Sequence, residues 1–424
     1  PWPITLQIMT AVPTAPTSRE KTAMTREKHS QSRRDFLSKS VMGVASIGLA
    51  GATPGMAAAQ PTQERGSGPP IQRTLGRTGI VVPVVSIGAM NSDSPALYHR
   101  AYDLGIRHFD TAEVYLRGRS EEVLGTFMKE RGIRDEVCLA TKIGSSIRRV
   151  ELSRFRTELE RTFEGCLTRL QTDYVDILYH HGISDAEGVR HEIARDYFAE
   201  LQEQGRIRWP GISTHSGQAE VLNEMAKDDF WSVALVGFNV TMAENQQLLE
   251  AMRNAAGRGV GIIGMKALGG GRRGPDSPAD APESNQTAML KWVLNHEEVT
   301  TIIPGITTFD QLDLDWSVAS DLAYTDEERR FLEQGDLLSS LQFCQQCQEC
   351  LPSCPNDVDI PTLMRTYMYA AQYANFDHAR MTLDGIPLQQ GISTCSSCSA
   401  CTAQCSHSID IPTRVGTLKS VYLA

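Results

Sequence analysis

GIRHFDTAEVY, residues 105–115, decides how the chain is read. It holds a short β-rich run, HFDTA at 108–112, that carries an acid, Asp110, and is followed by a loop with a tyrosine, Tyr115. The same kind of run recurs on both sides. Such runs fall at 82–88, 108–112, 137–143, 174–180, 206–212, 234–240, 261–268 and 300–306, with helix-like segments between them. In one of those segments Leu159, Phe163, Cys166, Leu167 and Leu170 share a face at helical spacing. Strand–helix alternation repeated eight times predicts an α/β chain whose main domain is a (β/α)8 TIM barrel. A doubly wound dinucleotide-binding sheet has nothing to stand on, because no GxGxxG follows an early strand.

A barrel places its chemistry at the C-terminal ends of the strands. Asp110 ends the second strand, and Tyr115 follows in its loop. Lys142 ends the third, and His181 lies just past the fourth. These four side chains should meet at one rim. The carboxylate pins the lysine, and the lysine's charge is expected to favour tyrosinate by lowering the phenol pKa. A tyrosine so tuned exchanges a proton with a carbonyl or alcohol oxygen, and a histidine orients the same oxygen.

RTLGRTG (73–79), GIRHFDTAEVY (105–115), SEEVLG (120–125), TKIG (141–144), YVDILYHH (174–181) and IIPGITT (302–308), in that order, resemble the aldo-keto reductase family over roughly residues 71 to 320. The resemblance implies that Asp110, Tyr115, Lys142 and His181 are its catalytic tetrad. It implies a nicotinamide site too, with Ser213, Thr214, Asn239, Lys266 and Gly305 as the contacts. Here the chain departs from the pattern. Ser213-Thr214 stands for the usual Ser-Asn pair, an apolar residue around Leu235 for a Gln, and Met265 or Lys266 for the stacking aromatic. Asp315 falls where an Asn is usual. NAD(P) is therefore implied less firmly than the tetrad. The lack of a cationic clamp around PGITTFDQLDLD favours NAD over NADP. The loop 269–284, with Arg272 and Arg273, either closes over a pyrophosphate or is a solvated surface loop.

The tail is of another kind. Eight of the ten cysteines lie after residue 343. Cys344, Cys347, Cys350 and Cys354 repeat as Cys395, Cys398, Cys401 and Cys405, each shifted by 51 positions, and DIPT recurs at the same shift, at 359–362 and 410–413. The spacing C-x2-C-x2-C-x3-C is that of ferredoxins with two [4Fe–4S] clusters, in which the fourth cysteine of each run reaches the other cluster. The expected ligand sets are Cys344, Cys347, Cys350 with Cys405, and Cys395, Cys398, Cys401 with Cys354. Zinc has no use for a triplet, and disulfides need no duplicated spacing. The residues between the two runs read helical, so the tail resembles a small, mostly α-helical ferredoxin-like domain. Cys138 and Cys166 read as buried small hydrophobes.

SRRDFLSK, residues 32–39, resembles a twin-arginine signal, with a weakly apolar run at 41–50 and Ala57-Ala58-Ala59 before an expected cleavage at Gln60. The alternative is a chance pair of arginines in a tail. The signal implies export of a folded protein to the periplasm or another extracytoplasmic site, with Met24 a suitable start. The expected organisation is a signal region 1–59, a linker 60–70, a barrel 71–325 and a two-cluster domain 326–424. A net charge of -10 weighs against nucleic acid, and no run approaches the roughly 20 apolar residues of a membrane-spanning helix.

Together these features predict an oxidoreductase that interconverts a small carbonyl compound and an alcohol, a sugar among the candidates. Its two [4Fe–4S] clusters would exchange electrons with a redox partner protein. Two alternatives stay open: an ordinary nicotinamide-dependent reductase stapled by structural clusters, and an electron carrier whose barrel has lost its chemistry.

Overall fold

The computed structural model describes residues 68–144, 150–269, 282–334 and 343–423. The expected signal region and the loop arginines Arg272 and Arg273 lie outside them. A hairpin, β1 (Gln72–Thr74) and β2 (Val81–Pro83), comes first. Eight parallel strands follow: β3 (Ile87–Gly88), β4 (His108–Asp110), β5 (Cys138–Ile143), β6 (Val175–His180), β7 (Ile207–Thr214), β8 (Val233–Gly237), β9 (Gly261–Met265) and β10 (Val299–Ile302). They pair in sequence order, and the parallel bridges Val85–Ile302 and Gly88–Gly305 close the ring between β10 and the first strand. The (β/α)8 barrel is the fold.

Helices sheath it: α1 (Pro95–Leu104), α2 (Arg119–Arg131), α3 (Leu152–Leu170), α4 (Ala186–Arg190), α5 (Glu192–Glu203), α6 (Gln218–Met225), α7 (Gln246–Gly257), α8 (Glu283–Leu294), α9 (Phe309–Trp316) and α10 (Asp326–Glu333). The apolar face read on α3 is buried against the strands. The SEEVLG motif acts where α2 meets the barrel. Buried Ser120 donates to the carbonyl of Ala89, and buried Glu121 accepts from Thr141 at 2.5 Å and from Arg169 at 2.8 Å. At the opposite mouth the hairpin plugs the ring, Leu75 and Val82 packing with the interior residues Ile177, Val233 and Ile263. Gly76 makes that approach possible: its φ is +49°, and a Cβ there would lie 2.3 Å from the Gly261 nitrogen. Helix α10 falls in the stretch expected to belong to the tail, yet it packs on α8 through a buried Lys291–Glu328 pair at 2.9 Å.

The tail is helical: α11 (Ile360–Tyr367), α12 (Phe376–Asp384) and α13 (Ile411–Tyr422). The DIPT repeat is a pair of helix starts. Asp359 and Asp410 each accept from the backbone of the threonine three residues on, at 3.1 and 3.0 Å, with proline in the first turn. A small core of its own joins Ile360, Leu363, Ile411, Val415 and Leu418. Among the described residues no helix is long and apolar enough to cross a membrane.

Candidate functional site

The strand ends bring the four expected side chains together. Asp110 and Lys142 are buried and paired, and Lys142 also donates to the carbonyl of Thr111 at 2.7 Å. The Lys142 ammonium lies 4.7 Å from the centre of the Tyr115 ring. His181 meets that ring edge-on, at 6.2 Å and 87°. Asp110, Tyr115 and His181 line a cavity of about 250 Å3 at the C-terminal rim, a volume suited to a small molecule.

The tyrosine is not tuned as expected. Burial, and then the nearby Asp110 carboxylate, push its phenol well above the ordinary value. Lys142 is already matched by Asp110, so the pair presents almost no net charge, and desolvation then opposes tyrosinate. The geometry supplies a proton donor.

The nicotinamide contacts divide. Lys266 and Gly305 line the cavity, whereas Ser213, Thr214 and Asn239 are fully or almost fully buried away from it. The Ser213 hydroxyl accepts from the Gly182 backbone at 2.9 Å, the Thr214 hydroxyl donates to the Ser216 carbonyl at 2.9 Å, and the Asn239 carbonyl caps a turn at Thr241. No polar clamp for a carboxamide faces the cavity at those three positions, and Leu235 packs in the barrel interior. These residues do not fit a nicotinamide held in the expected way.

What replaces the clamp comes from the tail. After α11 the helix widens into a π turn, Met368–Gln372, and Tyr369, Gln372, Tyr373 and His378 form the far wall of the cavity. Met90, Ala112, Val114 and Tyr115 of the barrel pack with Met368, Tyr369, Ala370 and Ala379 in one apolar cluster. The His378 ring lies 5.6 Å from that of Tyr115. Arg117 holds Asp377 at 2.5 Å, and Asn375 donates to Asn91 at 2.8 Å. Leu116 and Arg117, just past the tyrosine, sit at φ of +49° and +58°, strained backbone that this docking holds in place. Sequence reading missed the whole wall. Only the aromatic and histidine content of 367–378 hinted at it.

The thiols fall into two groups of four. Cys344, Cys347, Cys350 and Cys405 surround one hollow. Burial raises the Cys395 thiol to about 11, and its neighbouring thiols, in order of effect, are Cys354, Cys401 and Cys398. Cys405 of the second run thus sits with the triplet of the first, and an all-thiol donor set of four fits an iron–sulfur cubane. Gln346 and Asn356 donate to the sulfurs of Cys344 and Cys398 at 3.1 and 2.9 Å, contacts of the kind that set cluster potential.

Residues 88–287 match the Aldo/keto reductase family, and residues 343–410 match the 4Fe-4S dicluster domain. Among relatives, the oxidoreductase YqkF of Bacillus subtilis (strain 168) is 25% identical over 299 residues, which span 62% of this chain and 95% of that one. The L-glyceraldehyde 3-phosphate reductase of Escherichia coli O157:H7 is 24% identical over 326 residues, 62% and 91% of the two chains. Among solved structures, the holo form of aldo-keto reductase AKR11C1 from Bacillus halodurans superposes with a TM-score of 0.51 at 23% identity, over 62% of this chain and 96% of that one. That likeness is one of fold.

Proposed function

We propose that this oxidoreductase, an aldo/keto reductase domain joined to a 4Fe-4S dicluster domain, interconverts a small carbonyl compound and an alcohol at Tyr115 and exchanges the electrons with a partner protein through two [4Fe–4S] clusters. One observation carries the reading. The substrate cavity and a smaller cavity lined by Cys344 share three wall residues, His215, Lys266 and Gln372, so the tetrad and the first thiol set lie on either side of the same side chains.

When bound, a [4Fe–4S] cluster takes or gives one electron at a time. The residues of the chain do the rest. Tyr115 donates the proton that ends on the substrate oxygen, and its raised pKa keeps that proton in place until the oxygen gains charge. Asp110 fixes Lys142 beneath the ring. His181, edge-on to Tyr115, polarises the same oxygen. The tail wall keeps bulk water from the oxygen. Two electrons, which the two clusters would supply one each, and a second proton delivered from solvent to the carbonyl carbon complete the balance from carbonyl to alcohol.

The test uses anaerobically purified protein with its clusters reduced by dithionite and excess reductant removed. Small aldehydes and hydroxyketones are added, and in separate runs NADH and NADPH are added to the protein with oxidised clusters, while visible absorbance is followed. Reoxidation by a carbonyl compound, lost in Tyr115→Phe, is the expected result. Clusters indifferent to every carbonyl compound would favour the electron-carrier or structural-staple reading instead. The staple reading has its own support, since the tail builds part of the cavity wall whatever its redox state.

We also propose that the mature protein is extracytoplasmic and exported by the twin-arginine route, on the strength of Arg33-Arg34 and Ala57-Ala58-Ala59. N-terminal sequencing of exported protein should begin near Gln60. Retention of Arg33 and Arg34 would sink the idea.

A further inference from the structure

The two cavities that meet at Lys266 are electropositive beyond what the tetrad requires. Among the residues lining them, Asp110 is the sole acid, and Lys142 already occupies it. Against it stand Lys266 and Arg365, while burial holds the nearby His215 and His378 in their neutral forms. Among the described residues Lys266 has no carboxylate partner. Its ammonium rests on the Tyr369 and Tyr373 rings, 4.7 and 4.9 Å from their centres. Among the described residues the hydrogen-bond partners of Arg365 are neutral, the Gln346 side-chain carbonyl and the Thr362 hydroxyl, each at 3.3 Å. His378 is nine-tenths buried on the cavity wall, and its Nδ1 has no hydrogen-bond partner among the described residues.

A partly buried cation without a counter-charge is costly; a cluster on the Cys344 thiol set would offer negative charge to Arg365, which lines the same cavity, so Lys266 is the cation left for a ligand to match. The backbone points the same way. Lys266 has φ of +62°, a left-handed conformation that a residue with a side chain adopts only at a cost, and such strain gathers at ligand sites.

We propose that the substrate is an anion: the oxygen to be protonated sits at Tyr115, while a carboxylate or phosphate on the same molecule sits at the junction of the two cavities, held by Lys266 with Arg365 behind it. This rests on the carbonyl–alcohol reading and narrows it. The free ammonium is held down to about 7, by burial first and then by Arg365 and Lys142. An arriving anion removes that penalty and restores the charge. The two tyrosine rings flank the ammonium and leave its remaining face for the ligand. The site joins a barrel residue to tail residues, so the barrel alone would not form it.

The test is titration calorimetry on the full chain with clusters intact, which needs no turnover. The probes are pyruvate, glycolaldehyde phosphate and inorganic phosphate, with the neutral hydroxyacetone as reference. Pyruvate or glycolaldehyde phosphate should bind roughly ten- to a hundred-fold more tightly than hydroxyacetone. Which of the two gains more separates carboxylate from phosphate, and inorganic phosphate alone reports the second. Lys266→Met should erase the preference and Lys266→Arg should restore most of it, with visible cluster absorbance showing that each variant is folded. Arg365→Met should weaken the anions in the same sense. Equal affinity for neutral and anionic probes, or a preference untouched by Lys266→Met, would overturn the proposal. Anions that bind at Lys266 yet are never turned over would sink the carbonyl–alcohol reading and leave the anion site standing.

Discussion

Replacing Tyr115 with Phe is expected to lower carbonyl-dependent oxidation of the reduced clusters by roughly 10²- to 10⁴-fold without unfolding the protein. The substitution removes one oxygen from a ring that is almost fully buried between Lys142, His181 and His378, so packing changes little. What is lost is the only phenolic proton donor of the tetrad. The pH dependence makes the test sharper. Burial and Asp110 raise the phenol well above 10, so the protonated form persists as pH rises through neutrality and into the alkaline range. Reduction of a carbonyl, which uses that form, should show no alkaline fall due to Tyr115. Oxidation of an alcohol, which needs the rarer tyrosinate, should climb with pH. A variant that reduces carbonyls as fast as the parent would mean the barrel's tetrad is idle, as the electron-carrier reading holds.

The second large effect concerns a cysteine whose role is opposite to its place in the sequence. Cys354→Ala should cost about half of the bound iron, and the cluster that disappears should be that of Cys395, Cys398 and Cys401. Cys354 stands in the first run of the chain, but it is the thiol that acts most strongly on Cys395 of the second, while Cys405 closes the hollow of Cys344, Cys347 and Cys350. Electron paramagnetic resonance of the reduced protein checks this. Cys354→Ala and Cys395→Ala should leave the same residual signal, and Cys405→Ala a different one. If Cys354→Ala instead matched Cys344→Ala, the crossed sets would be wrong.

The barrel and its tetrad were legible for a common reason. Short strand–helix units repeat a local pattern, and the residue that ends a parallel strand must face the rim, so Asp110, Lys142 and His181 could be placed by counting. The thiol sets were legible because cluster geometry fixes their spacing. Ser213 and Thr214 failed at a finer scale. Being at a strand end does not say where a short hydroxyl turns, and backbone groups of Gly182 and Ser216 were nearer than the cavity. Tyr115 was placed but its tuning was not, because pairing of Lys142 with Asp110 cancels a charge that the sequence counts in full. The wall of Tyr369, Tyr373 and His378 was out of reach. It depends on how one domain docks on another, and docking leaves no periodicity to read.

That wall bears on how chains of this architecture should be sorted. In a barrel whose pocket is shaped by its own loops, preference for one molecule over another changes when those loops change. Here the selective surface is divided between two parts of the gene product, and residues 369–378 travel with the metal-binding part. Exchange of tails between two such chains would transplant discrimination along with the thiol sets, and a barrel kept unaltered would acquire a new clientele.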